Sequence, residues 1–457
     1  MDVRRLDRAG IALCALLPLV VEGLTLPPGL VVDGDAAELV LVAAHGGVAH
    51  APGYPLWTAL ARAWLLPGIG PPAVALAALS TALLAVATVA VRSILRSLGC
   101  GPAPATALAL SMAFLPGVWR VAVRPEVYTL DLALCAGALA LAWKPGPRAA
   151  FWATVLATAA VFHRPTALPV LLPVGVLLRG RWSVSGVLFG TLTAGLGYAH
   201  LAWRAAHPGV WVPPELDEGW VAYLTGGVHN GGFTGARPPL SQLALAAKNT
   251  GLQGVVAALG VFCLPLLPRR LGGPMLTWAA LVLAWLALWT VDDPEVFALP
   301  LSLLGSLGFG ALLARLPRLR RTALWMGVPL VMAAMNGDAA RLEDARRQHQ
   351  RLQDVLNAVP DDALMVCGDW SWRTALVAAR LDRGHGPQIA PPPTEAELVS
   401  AWLAPGHPVW LPEERRTVLT TGVLWTRDIE LLLVLRDAGV PLRSGPTGFW
   451  QATSPQP

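Results

Sequence analysis

The sequence predicts an α-helical polytopic membrane protein of about 11 transmembrane helices with a small C-terminal extracytoplasmic α/β domain. Hydrophobic residues make up 54% of the 457 residues and charged residues only 14%, well below the roughly one quarter usual in soluble domains. Long apolar runs recur through residues 1–337. After residue 337, short apolar segments alternate with helical patterns, which is typical of an α/β layer domain.

The apolar runs define a membrane domain over residues 1–337. A helix needs about 20 apolar residues to cross the hydrocarbon core. Eleven runs serve as candidates, at 10–27, 73–91, 103–119, 126–143, 149–162, 166–178, 183–203, 251–267, 272–291, 296–314 and 322–337. Glu22 and Pro27–Pro28 stand where a signal peptide would have small residues for cleavage, so we expect an uncleaved first helix.

Positive charge predicts the orientation. Of the 22 Lys/Arg residues before residue 338, 15 fall in one alternating set of connecting segments and seven in the other, longer set. The positive-inside rule then places the N-terminus in the cytoplasm and the domain 338–457 outside. We expect a multi-pass protein of the cell inner (plasma) membrane, in contact with the lipid bilayer.

The distribution of charge and of cysteine argues against nucleic-acid binding and against cysteine-based sites. The positive residues lie between apolar runs rather than on one soluble face, so we expect no nucleic-acid binding. Three of the five cysteines lie inside apolar runs and none has metal-ligand spacing. We therefore expect neither a disulfide framework nor a zinc site.

The predicted first outer segment, residues 28–72, begins with a group of carboxylates, Asp33, Asp35 and Glu38. If a helix begins near Asp35, that residue is a candidate N-cap and Glu38 completes a capping box. A carboxylate at the water interface is also a candidate general base that deprotonates an acceptor hydroxyl during sugar transfer.

Glycine and proline are dense between His45 and Trp57, which predicts a fixed turn before a helix that starts at Pro55. His50 and Tyr54 offer neutral hydrogen-bond donors to a sugar or a phosphate, although solvated interfacial side chains would fit the same pattern. A metal site formed by His45, His50 and a carboxylate is an alternative. We expect no cofactor, and a divalent metal is possible in principle but not indicated.

Arginines follow in the next outer segments. Arg120, Arg124 and Arg164 are candidate phosphate ligands because a guanidinium matches two phosphate oxygens. They could also mark helix ends by snorkelling. Glu126 is placed on the first helical turn after Pro125, where a catalytic role and a helix-dipole role are both open. His163 precedes Arg164 in the same outer segment.

The last outer segment of the membrane domain contains Asp292 and Asp293, followed by Pro294 and Glu295. We include both aspartates among the candidate substrate-binding residues. A solvated loop with an N-cap before Pro294 explains the same acids.

The C-terminal domain is predicted to alternate helices and strands. The expected order is a polar helix over 338–358, a strand over 363–367, a helix over 371–382, a loop over 384–394, a strand over 408–411, a helix over 427–438 and a frayed end after Trp450. This alternation of strands and helices predicts a small α/β layer domain.

Several of these stretches together resemble a known family. Residues 35–38 and 47–56, Arg124 to Tyr128, His163 to Thr166, Asp292 to Pro300 and the opening of the outer domain at 359–369 resemble a bacterial membrane family that is related to the eukaryotic transmembrane protein O-mannosyltransferase. The likeness follows nearly the whole chain in order. His163–Arg164 stands where the family more commonly has two histidines.

The resemblance implies a GT-C superfamily glycosyltransferase, which takes its sugar from a polyprenyl-phosphate donor on the outer face. It places the catalytic acid in the first outer loop, where Asp35 stands, with Glu38 and Asp33 in reserve. The expected reaction is an inverting transfer of a hexose, mannose by analogy, to a hydroxyl of a protein or glycan acceptor. Arg124 and Arg164 would hold the phosphate, and His50 and Tyr54 would orient the sugar.

A membrane transporter or flippase of lipid-linked saccharides is the alternative function. A conducting path usually requires charges or broken helices near the middle of the membrane. Glu22 and Asp131 are the acids that lie clearly inside apolar runs, and the other polar groups gather toward one predicted surface. This distribution favours the transferase over the transporter.

Overall fold

We describe the protein from a computed structural model. The residues that the structure describes are 3–32, 34–207, 211–213, 216–217, 219–225, 238–250, 252–289, 294–316, 323–340, 343–361, 363–390, 408–411, 415–418, 423–437, 439–445 and 448–453. They form two compact units. The membrane unit comprises Met1–Leu26 and Gly46–Leu342, and the sheet unit comprises Pro27–His45 and Glu343–Pro457.

The described part of the chain is predominantly helical. Its α-helices are α1 (Val3–Gly23), α2 (Ala36–His45), α3 (Pro55–Leu65), α4 (Pro72–Ser97), α5 (Pro102–Ala113), α6 (Pro116–Ala122), α7 (Tyr128–Ala142), α8 (Pro147–His163), α9 (Leu171–Leu178), α10 (Val184–Ala206), α11 (Trp220–Thr225), α12 (Pro239–Thr250), α13 (Leu252–Phe262), α14 (Arg269–Leu288), α15 (Pro294–Phe297), α16 (Leu299–Arg315), α17 (Gly327–Ala340), α18 (Glu343–Ala358), α19 (Trp370–Arg383) and α20 (Ile429–Asp437). Short 3-10 helices occur at Pro165–Val170, Leu264–Leu266 and Ala323–Met326.

Each of the eleven predicted apolar runs contains a helix among these described residues. Three helices, α4, α10 and α14, are long and apolar enough to cross a membrane, and the bent pair of α5 and α6 makes a fourth if it is one span. Other runs form shorter apolar helices. The chain is thus a multi-pass membrane protein, while the count of eleven crossings stays a prediction.

The predicted run 103–119 is broken into two helices. Helices α5 and α6 meet at an angle of 68°. The break falls at Leu115, which has an extended backbone (φ −66°, ψ 138°), because a residue before proline avoids the helical conformation. Pro116 then starts α6 at its first turn.

Helix α4 lies at the centre of the membrane unit, packed against α1, α5 and α7. Its buried hydroxyls are satisfied by carbonyls, as where Thr81 Oγ1 donates to Ala122 O at 2.8 Å. At its far end, Arg92 and Arg96 each lie 2.8 Å from an oxygen of Asp7 on α1. These contacts fix α1 against α4.

The sheet unit contains a five-stranded sheet in the order β2-β1-β5-β7-β6 and a separate two-stranded sheet of β3 and β4. The strands are β1 (Leu364–Val366), β2 (Gln388–Ala390), β3 (Pro408–Leu411), β4 (Arg415–Val418), β5 (Val423–Thr426), β6 (Leu442–Ser444) and β7 (Trp450–Thr453). Strand β1 is parallel to β2 and β5, and Met365 is paired with both Ile389 and Trp425. Strand β7 is antiparallel to β5 and β6.

The core of this unit joins the sheet to helix α20. Its buried side chains are Leu364, Val366, Leu424, Leu431, Leu435 and Ala452. Helix α19 follows β1 after an Asp369 N-cap, whose carboxylate accepts from Trp372 N at 2.9 Å. The predicted strand–helix alternation is therefore present, and the Gly–Asp turn after β1 starts a helix.

Two details of the predicted C-terminal domain were wrong. The predicted loop 384–394 contains strand β2, and the predicted frayed end after Trp450 forms strand β7. Both strands are only three or four residues long, so no period of alternation appears in the sequence. Pairing with the neighbouring strands β1 and β5 is what makes them strands.

The chain between Pro27 and His45 belongs to the sheet unit. Helix α2 packs against α19, and Ser371 Oγ donates to Gly34 O at 3.0 Å. His45 Nε2 lies 2.8 Å from Asp382 Oδ1. The predicted outer segment 28–72 is therefore divided between the two units, and the predicted domain boundary at 337/338 stays a prediction.

Candidate functional site

The turn before α3 is held in a single backbone path by glycine. Gly47 has φ +132°, and a Cβ there would lie 2.3 Å from Trp211 O, so no side chain fits. Gly53 has φ +86°, and a Cβ there would lie 2.5 Å from the Tyr223 hydroxyl. As predicted, Pro55 begins the next helix. The turn thereby sets where the side chains of His50 and Tyr54 stand.

In the membrane unit, Tyr54 contacts both His50 and His163. His50 Nε2 is 3.2 Å from the Tyr54 hydroxyl, and the rings of Tyr54 and His163 meet edge to face with centroids 5.9 Å apart. His163 is buried, and its Nε2 donates to Val127 O at 3.1 Å. The structure therefore brings together three of the predicted residues, which come from two segments of sequence.

Arg164 is a buried cation with a specific environment. Its side chain is 7% exposed, and Nη1 lies 3.5 Å from Asp131 Oδ2. Its guanidinium carbon is 4.4 Å from the ring centroid of Tyr128 and 5.2 Å from that of Phe297. Aromatic faces attract a guanidinium and leave its edge available for hydrogen bonds.

An apolar cavity of about 220 Å³ lies beside Arg164. Its wall comes from the 3-10 helix after Arg164, from α14, from the end of α15 and from the start of α16. The lining residues are Arg164, Pro165, Thr166, Leu168, Pro169, Leu281, Val282, Trp285, Phe297 and Pro300. The cavity thus combines one cation with a wall that is otherwise almost entirely apolar.

Arg124 and Glu126 form a second buried pair, with Arg124 Nε 3.6 Å from Glu126 Oε1. The expected place of Glu126 on the first helical turn was wrong, because α7 begins at Tyr128. Glu126 is instead held in a loop. Its carbonyl accepts from Trp57 Nε1 at 3.1 Å, and its N–H donates to Ser80 Oγ at 3.2 Å. Arg120 lies on α6 with an exposed side chain.

Asp35 and Glu38 lie at the start of α2 in the sheet unit. Asp35 O accepts the first helical bond, from Leu39 N at 2.9 Å, so Asp35 occupies the predicted N-cap position. Glu38 is fully buried, while Asp35 is partly exposed. Of the two acidic residues, Asp35 is the one in contact with solvent.

Three acids and one histidine complete the predicted site residues. Asp292 and Asp293, like Asp33, lie outside the described residues. Helix α15 begins at Pro294. His45, which the alternative metal site would use, has its Nε2 engaged by Asp382. The expectation of no metal cofactor stays a prediction.

Sequence reasoning missed the residues that surround Arg164. Tyr128 and Asp131 are three residues apart on α7 and therefore share one helix face. That spacing could have been read from the sequence as an arginine-binding face. The contribution of Leu281 and Trp285 from α14 could not, since it depends on how distant helices pack.

The chain was compared with known proteins. The family model described as the protein O-mannosyl-transferase TMEM260 N-terminal domain matches residues 35–153. A search of curated proteins finds no significant match. The matched segment contains Asp35, Glu38, His50, Tyr54 and Arg124.

Among solved structures, the chain is similar to ArnT from Cupriavidus metallidurans. With ArnT bound to undecaprenyl phosphate the TM-score is 0.63 at 13% identity, over 98% of this chain and 99% of the other. With its apo state the TM-score is 0.61 at 12% identity, over the same shares. The mycobacterial arabinofuranosyltransferase AftD covers all of this chain and 40% of its own at 14% identity, but its TM-score of 0.49 is too low to inform on the fold. The chain is therefore a polytopic membrane protein with the fold of ArnT, and its residues 35–153 match the TMEM260 N-terminal family model.

Proposed function

We propose that the protein is an inverting glycosyltransferase that moves a hexose from a polyprenyl-phosphate donor to a hydroxyl of a protein or glycan acceptor on the outer face of the membrane. The observation that carries the proposal is the buried Arg164 at the edge of an apolar cavity. A lipid-linked phosphate consists of an anionic group joined to an apolar chain. At this site Arg164 can bind the anionic group, and the apolar wall of the cavity can contact the chain.

Arg164 is the proposed phosphate ligand. Arginine donates through a planar fork that matches two phosphate oxygens, and burial strengthens that interaction. Tyr128 and Phe297 hold the guanidinium by its face. The first isoprenyl units would lie against Leu281, Val282 and Trp285. Arg124 and Arg120 remain candidate ligands for the same phosphate.

His50 and Tyr54 are the proposed sugar ligands. They form a hydrogen-bonded pair that can rotate its donors toward sugar hydroxyls without adding charge. The ring of His163 packs edge to face against that of Tyr54 and helps to fix its position. Neutral donors suit a neutral hexose, since the phosphate is matched separately by arginine.

Asp35 is the proposed general base. It would take the proton from the acceptor hydroxyl as the oxygen attacks the anomeric carbon, and the lipid phosphate would leave with the bonding electrons. Asp35 is partly exposed, whereas Glu38 is fully buried. Because Asp35 is the more exposed of the two, it is the better candidate to contact an acceptor. Glu38 is assigned a structural role in α2.

The comparisons support the class of reaction and the donor lipid. The matching family model describes an O-mannosyltransferase, and the ArnT structure is a complex with undecaprenyl phosphate. Mannose as the sugar, an inner-membrane location and an outward C-terminal domain are our proposals. We infer that the sheet unit contributes to the choice of acceptor.

The test is sugar release or transfer by the purified full-length protein in detergent. We expect turnover of radiolabelled polyprenyl-phosphate mannose by the wild type, and loss of at least about 100-fold in Asp35→Asn, in line with the usual weight of general-base catalysis. Glu38→Gln serves as the comparison at the buried acid.

Other outcomes would change the proposal in defined ways. Turnover of a glucose or aminosugar donor but not of mannose would replace the sugar and keep the class. Movement of lipid-linked saccharide across proteoliposomes without turnover would favour the flippase alternative. Full turnover by Asp35→Asn would remove Asp35 as the base.

A further inference from the structure

A second cavity lies at the end of the membrane unit opposite to Arg164. It has a volume of about 440 Å³ and is lined by Ala142, Trp143, Val176, Leu177, Arg179, Arg181, Pro268, Arg270 and Leu271. Helix α14 relates the two ends, because Trp285 lines the first cavity and Arg270 the second. Fifteen residues of helix separate them, about 22 Å at 1.5 Å per residue.

Arg181 stabilises the wall of this second cavity through its hydrogen bonds. Its guanidinium donates to four carbonyls at 3.1–3.2 Å, those of Ala142, Lys144, Leu177 and Leu178. These carbonyls lie at the C-terminal ends of α7 and α9, where helix carbonyls need a donor. Since its donors are engaged, Arg181 ties the two helix ends together and fixes the wall.

Arg179 stands in an unusual backbone position beside it. Its φ of +44° and ψ of +60° are left-handed, a conformation that helix ends usually give to glycine. Its N–H closes α9 by donating to Gly175 O at 3.0 Å. Strained positions of this kind tend to occur at functional sites, and here the strain places an arginine at the cavity.

Arg270 completes the cationic lining from the first turn of α14. Among the described residues, neither Arg179 nor Arg270 forms a salt bridge with a carboxylate, and no acid lines the cavity. The rest of the wall is Trp143 and aliphatic side chains. The surface therefore offers positive charge next to apolar contact.

We propose that this cavity binds the phosphodiester headgroup of an anionic phospholipid. Arg179 and Arg270 would hold the phosphate, Trp143 would lie at the level of the headgroup, and Val176 and Leu271 would contact the start of the acyl chains. Basic pockets between transmembrane helices on the cytoplasmic side commonly bind anionic lipids. The same segments carry the positive charge that predicts the cytoplasmic side. The proposal does not depend on the proposed transferase activity.

The test is lipid binding by native mass spectrometry of the purified full-length protein, titrated with phosphatidylglycerol and separately with phosphatidylcholine. We expect preference for phosphatidylglycerol, and roughly fivefold weaker binding for each arginine removed. The variants are Arg179→Gly, which suits the left-handed backbone and keeps the turn, and Arg270→Gln. The matched control is Arg269→Gln, which removes the same charge from the neighbouring exposed residue outside the lining.

Three results would overturn the proposal. Equal loss of binding in Arg269→Gln would mean a general effect of surface charge. Unchanged binding in the Arg179→Gly and Arg270→Gln double variant would place the lipid elsewhere. Displacement of the lipid by millimolar inorganic phosphate would assign the cavity to the free anion. The control for folding is thermal stability. If Arg179→Gly unfolds at the same temperature as the wild type, its loss of lipid binding is not caused by loss of the fold.

Discussion

Arg164 is a buried cation that is balanced by Asp131 and held between two aromatic rings. A phosphate can bind here in addition to the Asp131 carboxylate only if N–H groups at the edge of the Arg164 guanidinium point toward it. The predicted role of Arg164 came from its residue type and from the resemblance of the segment around it. The partners Tyr128, Asp131 and Phe297 explain why the side chain is held in one orientation.

Arg164→Lys should raise the KM for the polyprenyl-phosphate donor about tenfold or more and change kcat less. Lysine keeps the charge but loses the planar fork and its stacking on aromatic rings. Initial rates over a donor titration measure this. A change in kcat alone, with unchanged KM, would argue against phosphate binding by Arg164.

Arg164→Gln leaves Asp131 buried without its cation, which costs about 3–5 kcal/mol for a buried pair. We expect a clear fall in thermal stability. The double variant Arg164→Gln with Asp131→Asn should recover most of that stability without recovering donor binding. Recovery of both would show that Arg164 acts only through the fold.

At the scale of elements, the glycine turn before α3 is the most constrained feature of the candidate site. Gly47→Ala should cost about 1–3 kcal/mol of strain at its left-handed backbone and displace Trp211, whose carbonyl lies 2.3 Å from the added Cβ. Thermal unfolding and donor turnover should both fall, because His50 and Tyr54 stand on this turn. Gly195→Ala on α10, where a Cβ meets nothing within 4 Å, is the control and should be tolerated.

His349, in the sheet unit, makes the folding stability of that unit sensitive to acid. Burial, opposed by a hydrogen bond to the Leu30 backbone and joined by the nearby charge of Arg383, lowers the pKa of His349 from 6.5. The folded state therefore binds fewer protons than the unfolded state, so stability is complete above about pH 6.5 and falls as the pH drops below it. Hydrogen-exchange protection factors of residues 29–32, which divide out the intrinsic pH dependence of exchange, should be lower at pH 5.5 than at pH 7.5 in the wild type.

His349→Gln should reduce the difference in protection factor between the two pH values. His385→Gln removes an exposed histidine of the same unit and is the matched control. The same pH response in His349→Gln and the wild type would assign the effect to other groups.

Elements were predictable where a long period or a proline marks them. The eleven apolar runs and the start of α3 at Pro55 were found for this reason. The break between α5 and α6 was missed, although Pro116 marks it in the sequence. Strands β2 and β7 were not predictable, since three or four residues carry no period and their pairing partners are distant.

At the scale of the whole molecule, the fold is that of ArnT, and composition alone had already indicated a polytopic membrane chain. The reaction class came from the resemblance, not from composition. The cavity beside Arg164 could not be predicted, because Leu168, Leu281 and Phe297 meet only through helix packing.

Turnover should persist in EDTA. In the proposed reaction the phosphate charge is met by arginine and the sugar by neutral donors, so no step requires a divalent ion to polarise the donor. The measurement is initial rate before and after chelation, with added Mg²⁺ or Mn²⁺ as the control. Loss of activity that only a metal restores would contradict the expectation of a metal-free site.

The cavity beside Arg164 gives the most direct test of donor binding. Equilibrium binding of polyprenyl phosphate to the full-length protein should weaken at least about tenfold in Leu281→Trp, which fills the cavity, and in Arg164→Lys. Leu283→Trp, on the same helix, exposed and outside the cavity lining, should bind as the wild type does. The predicted result is that the wild type binds polyprenyl phosphate and that this binding weakens when either the cavity is filled or Arg164 is replaced. No binding by the wild type, or equal binding by Leu281→Trp and Leu283→Trp, would contradict it.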